Sequence, residues 1–115
     1  MIIDSLSFKI QINTTAYQNY LKLLNTSVIL FKKFFHKILS NNYSTKKQNL
    51  KRGSYFNKKS VNYKNLIHFN KIKHNLTTHN MIRSLIFPPF QLPIYNGKKI
   101  KKSLFKNKKI RLLYL

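Results

Sequence analysis

Asp4 is the only acidic side chain in a chain of 115 residues that carries 23 Lys and Arg, so no fold of this sequence can neutralise its own charge. The formal net charge of +22 has to be met by something outside the chain. Self-repulsion at that charge weakens a compact state, and a polyanion that binds the folded form restores stability. The same arithmetic excludes paired-carboxylate hydrolysis, carboxylate-held Mg²⁺ or Ca²⁺ and Asp-oriented triads. Cysteine is absent, which excludes thiolate nucleophiles, disulfides and Cys-built zinc sites. The expectation is a basic, non-enzymatic binder with no cofactor and no small-molecule substrate.

The length allows one domain whose compact part, once tails are subtracted, holds about 60 residues and buries roughly 60% of its unfolded surface. Apolar residues make up 43% of the chain and aromatics 14%, too many for a disordered basic tail. Lys outnumbers Arg twenty to three, and Asn and Ile are equally favoured over Ala and Gly. Phosphate recognition does not prefer Lys in this way, so the bias points to AT-rich codons and to an organellar gene. No stretch free of Lys and Arg, 10–21 and 23–31 among them, reaches the ~20 apolar residues of a spanning helix. No transmembrane segment is expected. The N-terminus has no basic region ahead of its first apolar residues, as a signal or transit peptide would, so an organellar protein of this kind is expected to be made where it works.

The chain divides near residue 45. From Tyr17 to Leu39, the apolar residues Tyr17, Tyr20, Leu21, Leu24, Val28, Phe31, Phe35, Ile38 and Leu39 recur at three- and four-residue steps, which predicts an amphipathic helix. Thr14 or Thr15 caps its start, and Ser40 to Asn42 end it. Such a helix packs its stripe on a partner or on the rest of the chain; the competing reading is a membrane-surface helix. Tyr43 to Lys59 reads as an extended basic arm, and Val61 to Ile72 as one short helix. Ser84–Phe87 and Phe90–Tyr95 read as short strands, followed by the hairpin dipeptide Asn96-Gly97 and a returning strand Ile100–Phe105. A bulge at Gly97 that sets Leu92 against Ile100 buries more than a plain two-residue turn, which opposes Ile94 and Leu92 to Lys99 and Lys101. Phe87, Phe90 and Phe105 are the expected core aromatics. The predicted class is α+β: a small antiparallel sheet with one short helix, basic extended arms and an N-terminal helical extension.

His68, His74 and His79 have a spacing that suggests a metal cluster, but no Cys or nearby carboxylate supports one, and no metal site is assigned. The basic residues fall in three groups, around Lys46 to Lys59, Lys64 to Arg83 and Lys98 to Arg111. With no acids to mix among them they read as a polyanion-binding surface, and interleaved aromatics such as Tyr55, Phe56, Tyr63, Phe69, Tyr95 and Phe105 can stack on unpaired bases.

Three short segments, NLKRGSYF at Asn49–Phe56, IRSLIFP at Ile82–Pro88 and IYNGKK at Ile94–Lys99, resemble in order three signatures of the S-nineteen family of small-subunit ribosomal proteins. Gly53 and Gly97, the two glycines of the chain, fall on that family's glycine positions. The resemblance covers about residues 46 to 105 and departs from the family at Ser54-Tyr55, at Pro93 and in the missing GHKLGEF-like segment after the hairpin. It implies a split into an N-terminal helical extension, 1–45, and an RNA-binding core, 46–115. It implies a structural constituent of the small-subunit head that binds the 3′ major domain of the rRNA beside the S-thirteen protein. The N-terminal helix would rest on another ribosomal protein or on rRNA. The RNA contacts would be Lys51, Arg52 and Gly53 on the arm, with Lys58 and Lys59 after it, then Arg83 and Ser84, then Lys98, Lys99, Lys101 and Lys102 around the hairpin. A mitochondrial ribosome is the expected location, with the plastid as alternative. Two further readings stay open: a free-standing RNA-binding protein or chaperone, and a cationic membrane-surface protein.

Overall fold

The computed structural model describes every residue except Met1 and Phe56, and only the backbone of Lys58 and Tyr63. In chain order it contains α1 (Ala16–Leu39), two single 3₁₀ turns (Leu50–Arg52 and Lys58–Ser60), α2 (Tyr63–Leu66), β1 (His68–Phe69), α3 (Leu76–Ser84), β2 (Ile94–Tyr95), β3 (Lys98–Lys106) and β4 (Lys109–Tyr114). The strands lie in the order β1-β2-β3-β4. β1 and β2 are parallel, joined by a crossover that contains α3, and the other pairs are antiparallel. The coarse α+β class therefore holds, with a mixed rather than antiparallel sheet.

The predicted N-terminal helix is present almost residue for residue. Thr15 is its N-cap: its Oγ1 accepts from the Gln18 N–H at 3.3 Å while Gln18 Oε1 accepts from the Thr15 N–H at 3.0 Å, a reciprocal capping box. Its C-terminus is closed by the Ser40 N–H to the His36 carbonyl and by Asn41 at φ 56°. The helix has no buried residue. It is rooted at its first turns, where the Tyr17 N–H donates to the Ile86 carbonyl and the Tyr17 and Tyr20 rings lie 5.6 and 5.4 Å from the Phe87 ring.

The core sits elsewhere. Ile82 and Ile86, at and just after the end of α3, meet Ile100 of β3, and Phe69, Ile72, Leu92, Tyr95, Leu112 and Tyr114 close around them. This corrects three expectations. Residues 84–87 are not a strand but the exit of α3, a helix whose N-cap Asn75 accepts from the Thr78 N–H at 2.8 Å. The predicted helix over 61–72 shrinks to the single turn of α2, followed by β1. Phe90 is 83% exposed, and Phe87 and Phe105 are half-buried, so aliphatic residues rather than phenylalanines make the centre.

The hairpin takes the plain two-residue turn. Asn96 and Gly97 both have positive φ, 50° and 71°, and Tyr95 pairs with Lys98, Ile94 with Lys99. The bulge lies further along, between Ile100 and Lys102 on the β4 side of β3. The plain register already sets Ile100 against the buried Pro93, and the irregularity brings Ser103 to the same buried face. A second tight turn, Asn107-Lys108 with φ 50° and 55°, returns the chain as β4, a strand not predicted from the sequence.

A Cβ on Gly97 would meet nothing within 4 Å, so a substitution there is opposed by backbone strain alone. Gly97→Val is expected to cost about 1–2 kcal/mol, and Gly97→Asn less. Urea midpoints of the two variants check this; equal losses would mean the turn is not of this type.

Candidate functional site

A densely bonded polar region is segment 11–15, a tight turn closed by the Thr14 N–H to the Gln11 carbonyl at 3.2 Å that leads into α1. β2 covers only the first two residues of β3, so the outer edge of β3 from residue 100 onward needs another partner. Pro93 O takes the Ile100 N–H at 2.8 Å, and Asn13 Oδ1 takes the Phe105 N–H at 2.9 Å. Between them, His79 of α3 is fully buried. Its Nε2 lies 2.7 Å from the Ile12 carbonyl oxygen and its Nδ1 2.8 Å from Ser103 Oγ. A carbonyl can only accept, so Nε2 carries the hydrogen, and in the neutral ring Nδ1 accepts from the Ser103 hydroxyl. The Phe105 ring stacks on the imidazole at 5.5 Å. Both nitrogens are committed, which makes His79 a structural tie and not a free base.

Arg83 completes the clamp. Its Nη1 donates to the Thr14 carbonyl at 2.8 Å, and its Nε to Asn80 Oδ1 at 2.8 Å. Two grooves flank the clamped segment. One, of about 620 Å³, runs between the first turns of α1 and α3, is lined by Tyr20, Leu23, Asn80 and Arg83 among others, and contains the buried, unpartnered Asn19 Oδ1. The other, of about 440 Å³, lies beside the N-terminus of α1 and is polar, with Gln11, Gln18, Lys22 and Lys102 in its wall.

The residues singled out from the sequence are spread over the surface. Lys51, Arg52 and Gly53 form and cap an exposed 3₁₀ turn in which Gly53 has an extended φ of −79° that does not require glycine. Lys59 is exposed in the next turn; Phe56 and the side chains of Lys58 and Tyr63 lie outside the described residues. Ser84 Oγ donates to the Met81 carbonyl, and Lys98, Lys99, Lys101 and Lys102 are exposed along β3. Arg83 alone belongs to the clamp. His68 and His74 are exposed and separate from His79; His74 Nδ1 accepts the Ile110 N–H at 3.0 Å. Asn13, His79 and Ser103 went unassigned, although His79 shares one helical face with Ile82 and Ile86, a position typical of a satisfied core histidine.

The single carboxylate is also committed. Asp4 Oδ1 accepts the Ser5 N–H at 2.8 Å, and Lys33 Nζ lies 3.5 Å from its Oδ2. First the Ser5 amide and then the Lys33 charge hold its pKa below the ordinary carboxylate value. Such a group stays ionised at neutral pH and makes a poor general base.

The chain is 40% identical, over 91% of its length and with a TM-score of 0.81, to WlaRD, a sugar 3-N-formyltransferase whose crystal structure was solved in the presence of dTDP and 5-N-formyl-THF. It is 39% identical, again over 91% and with a TM-score of 0.80, to the N-formyltransferase from Helicobacter canadensis in complex with folinic acid and dTDP-3-aminofucose. In both cases it spans 38% of the length of the other chain. No family model matches the chain, and no curated protein matches it.

These likenesses overturn the ribosomal reading. An identity near 40% across nearly the whole chain outweighs three motifs of six to eight residues. The S-nineteen assignment falls, and with it the rRNA and S-thirteen partners, the structural role in translation and the mitochondrial ribosome as location. The expectation of a non-enzyme with no small-molecule substrate falls too, since both similar proteins are enzymes solved with small anionic molecules. The free-standing RNA binder and the membrane-surface protein gain no support. Among the described residues no helix is long and apolar enough to cross a membrane.

Proposed function

We propose that this chain forms part of a sugar N-formyltransferase that acts on a nucleotide-linked amino sugar with a formyl-tetrahydrofolate as donor. The observation that carries the reading is the 40% identity over 91% of the chain. In the reaction, the sugar amino nitrogen attacks the formyl carbon. The new C–N bond forms as the bond from that carbon to the folate nitrogen breaks, and the proton lost by the sugar nitrogen is balanced by one gained on the folate.

The chain's own residues supply position and charge to this chemistry. A nucleoside diphosphate sugar and a folate are both anionic, and a surface of net charge +22 with Lys22 and Lys102 on a polar groove suits such ligands. Proton removal from the attacking amine is a different matter. Asp4 is ion-paired and His79 is saturated, so neither of the two serves as that base.

The test replaces the matching segment of the Helicobacter canadensis enzyme with this chain and measures formyl transfer to dTDP-3-aminofucose. Retained turnover and nucleotide-sugar binding are expected. A folded chimera that neither binds the nucleotide sugar nor transfers formyl would overturn the proposal.

A further inference from the structure

α1 is 24 residues long, about 36 Å; its first turns are rooted on the sheet side of the fold, and further along the N-terminal residues Ile3 and Asp4 lie beside it, with Asp4 3.5 Å from Lys33 Nζ. Beyond Tyr20, its apolar stripe is open to solvent: Leu21, Leu24, Val28, Phe31, Phe35 and Ile38 are 38% to 59% exposed. A row of six large apolar side chains on one helix face is more than scattered surface hydrophobicity explains. We infer that this stripe is an interface for the folded body that makes up the remaining, larger part of a sugar N-formyltransferase of the kind the chain resembles. This inference rests on the function proposed above and names the partner.

Three observations choose that occupant. The match leaves out fewer residues than α1 contains, so at least half of the helix belongs to the fold shared with the two enzymes. Those enzymes continue well beyond the shared part, since the chain spans only 38% of their length. A second copy of this chain is disfavoured by charge: Lys22, Lys32, Lys33 and Lys37 lie on the same helix, and a self-pair would bring two bodies of +22 together with one acid each. The body that covers the stripe is expected to present an apolar cleft rimmed by the acidic residues that this chain lacks.

The experiment mixes the full 115-residue chain with the Helicobacter canadensis enzyme from which the matching segment has been deleted, and measures association by sedimentation. A 1:1 complex is expected, and the double substitution Val28→Asp with Phe31→Asp should raise its Kd at least tenfold. Both side chains are half or more exposed, so the variant keeps its fold, which circular dichroism verifies. In case the deleted enzyme does not fold, a photo-cross-linking amino acid at position 31 of the chimera gives an independent reading, with adducts expected inside the enzyme-derived body. Unchanged affinity in the double variant, adducts to a second copy, or association with anionic vesicles in place of the body would overturn the inference. A complex that forms through the stripe yet binds no nucleotide sugar would defeat the proposed function and leave the interface standing. A chimera that turns over while position 31 yields no internal adduct would do the reverse.

Discussion

Replacing His79 with Leu is expected to destabilise the chain by about 2–4 kcal/mol, because the substitution leaves two polar groups without their partner in the interior. The Ile12 carbonyl loses its donor and the Ser103 hydroxyl loses its acceptor, at a position with no solvent exposure. Typical domains hold only about 5–15 kcal/mol in total, and a change of this size lowers the Tm of a small one by roughly 10 °C or more. Thermal melts followed by circular dichroism measure it. Ser103→Ala alone should cost about 1 kcal/mol, and adding it to His79→Leu should cost almost nothing more, since the hydroxyl is then already orphaned. Fully additive losses would show that the two side chains are not coupled. The effect also reaches the helix: residues 11–15 are held by His79, Arg83 and the Asn13 contact to β3, and α1 starts from Thr15. Loosening that tie should weaken the docking of α1 as well as the fold.

The legible parts of the fold are those whose signals are local. α1 announces itself through an apolar period of 3.6 and through Thr15 and Gln18, three residues apart, and Asn96-Gly97 announces its turn because both positions need φ above zero. The strand register was not legible. Burial at Ile100 argued for a shift at Gly97, whereas the plain turn already sets Ile100 against Pro93 and the bulge near Lys101 acts only on the strand beyond it. α3 escaped notice because Thr77, Thr78 and Asn80 are weak helix formers; its stability comes from the Asn75 cap and from Ile82 against the sheet. β4 was hidden by Lys and Arg placed on its exposed positions, with only Ile110 buried and Leu112, Leu113 and Tyr114 partly so.

The functional reading failed for a different reason. Counting carboxylates tests only whether these 115 residues carry paired-carboxylate chemistry by themselves. It says nothing about a site completed by another body. Two of the three motifs misled because their residues are also structural necessities here. Arg83 follows from a segment whose carbonyls need a donor, Ile86 from the core, and Gly97 from a turn with positive φ. Residues selected by such general demands recur in unrelated folds, so short matches built on them carry little about ancestry.

The second large effect separates the core seen in the structure from the one the sequence suggested. Ile100→Ala should cost about 3 kcal/mol or more, since Ile100 is fully buried between Ile82 and Ile86 and the lost methyls leave a cavity that β3, pinned on both sides, cannot close. Phe90→Ala, which removes a larger side chain, should change stability by only about 0.5 kcal/mol, because 83% of Phe90 is already in water. Urea unfolding of both variants decides the ranking. Equal losses, or a larger one for Phe90, would return the core to the aromatic cluster and remove the aliphatic centre under β3. The small cost at Phe90 has a functional side. A phenylalanine held in the open by the tight turn in which its N–H bonds to the Phe87 carbonyl at 3.0 Å, with only the Phe87 ring 6.1 Å away, gives the isolated fold little, so a large loss of activity when the chimera carries Phe90→Ala points to a contact with ligand or with the larger body.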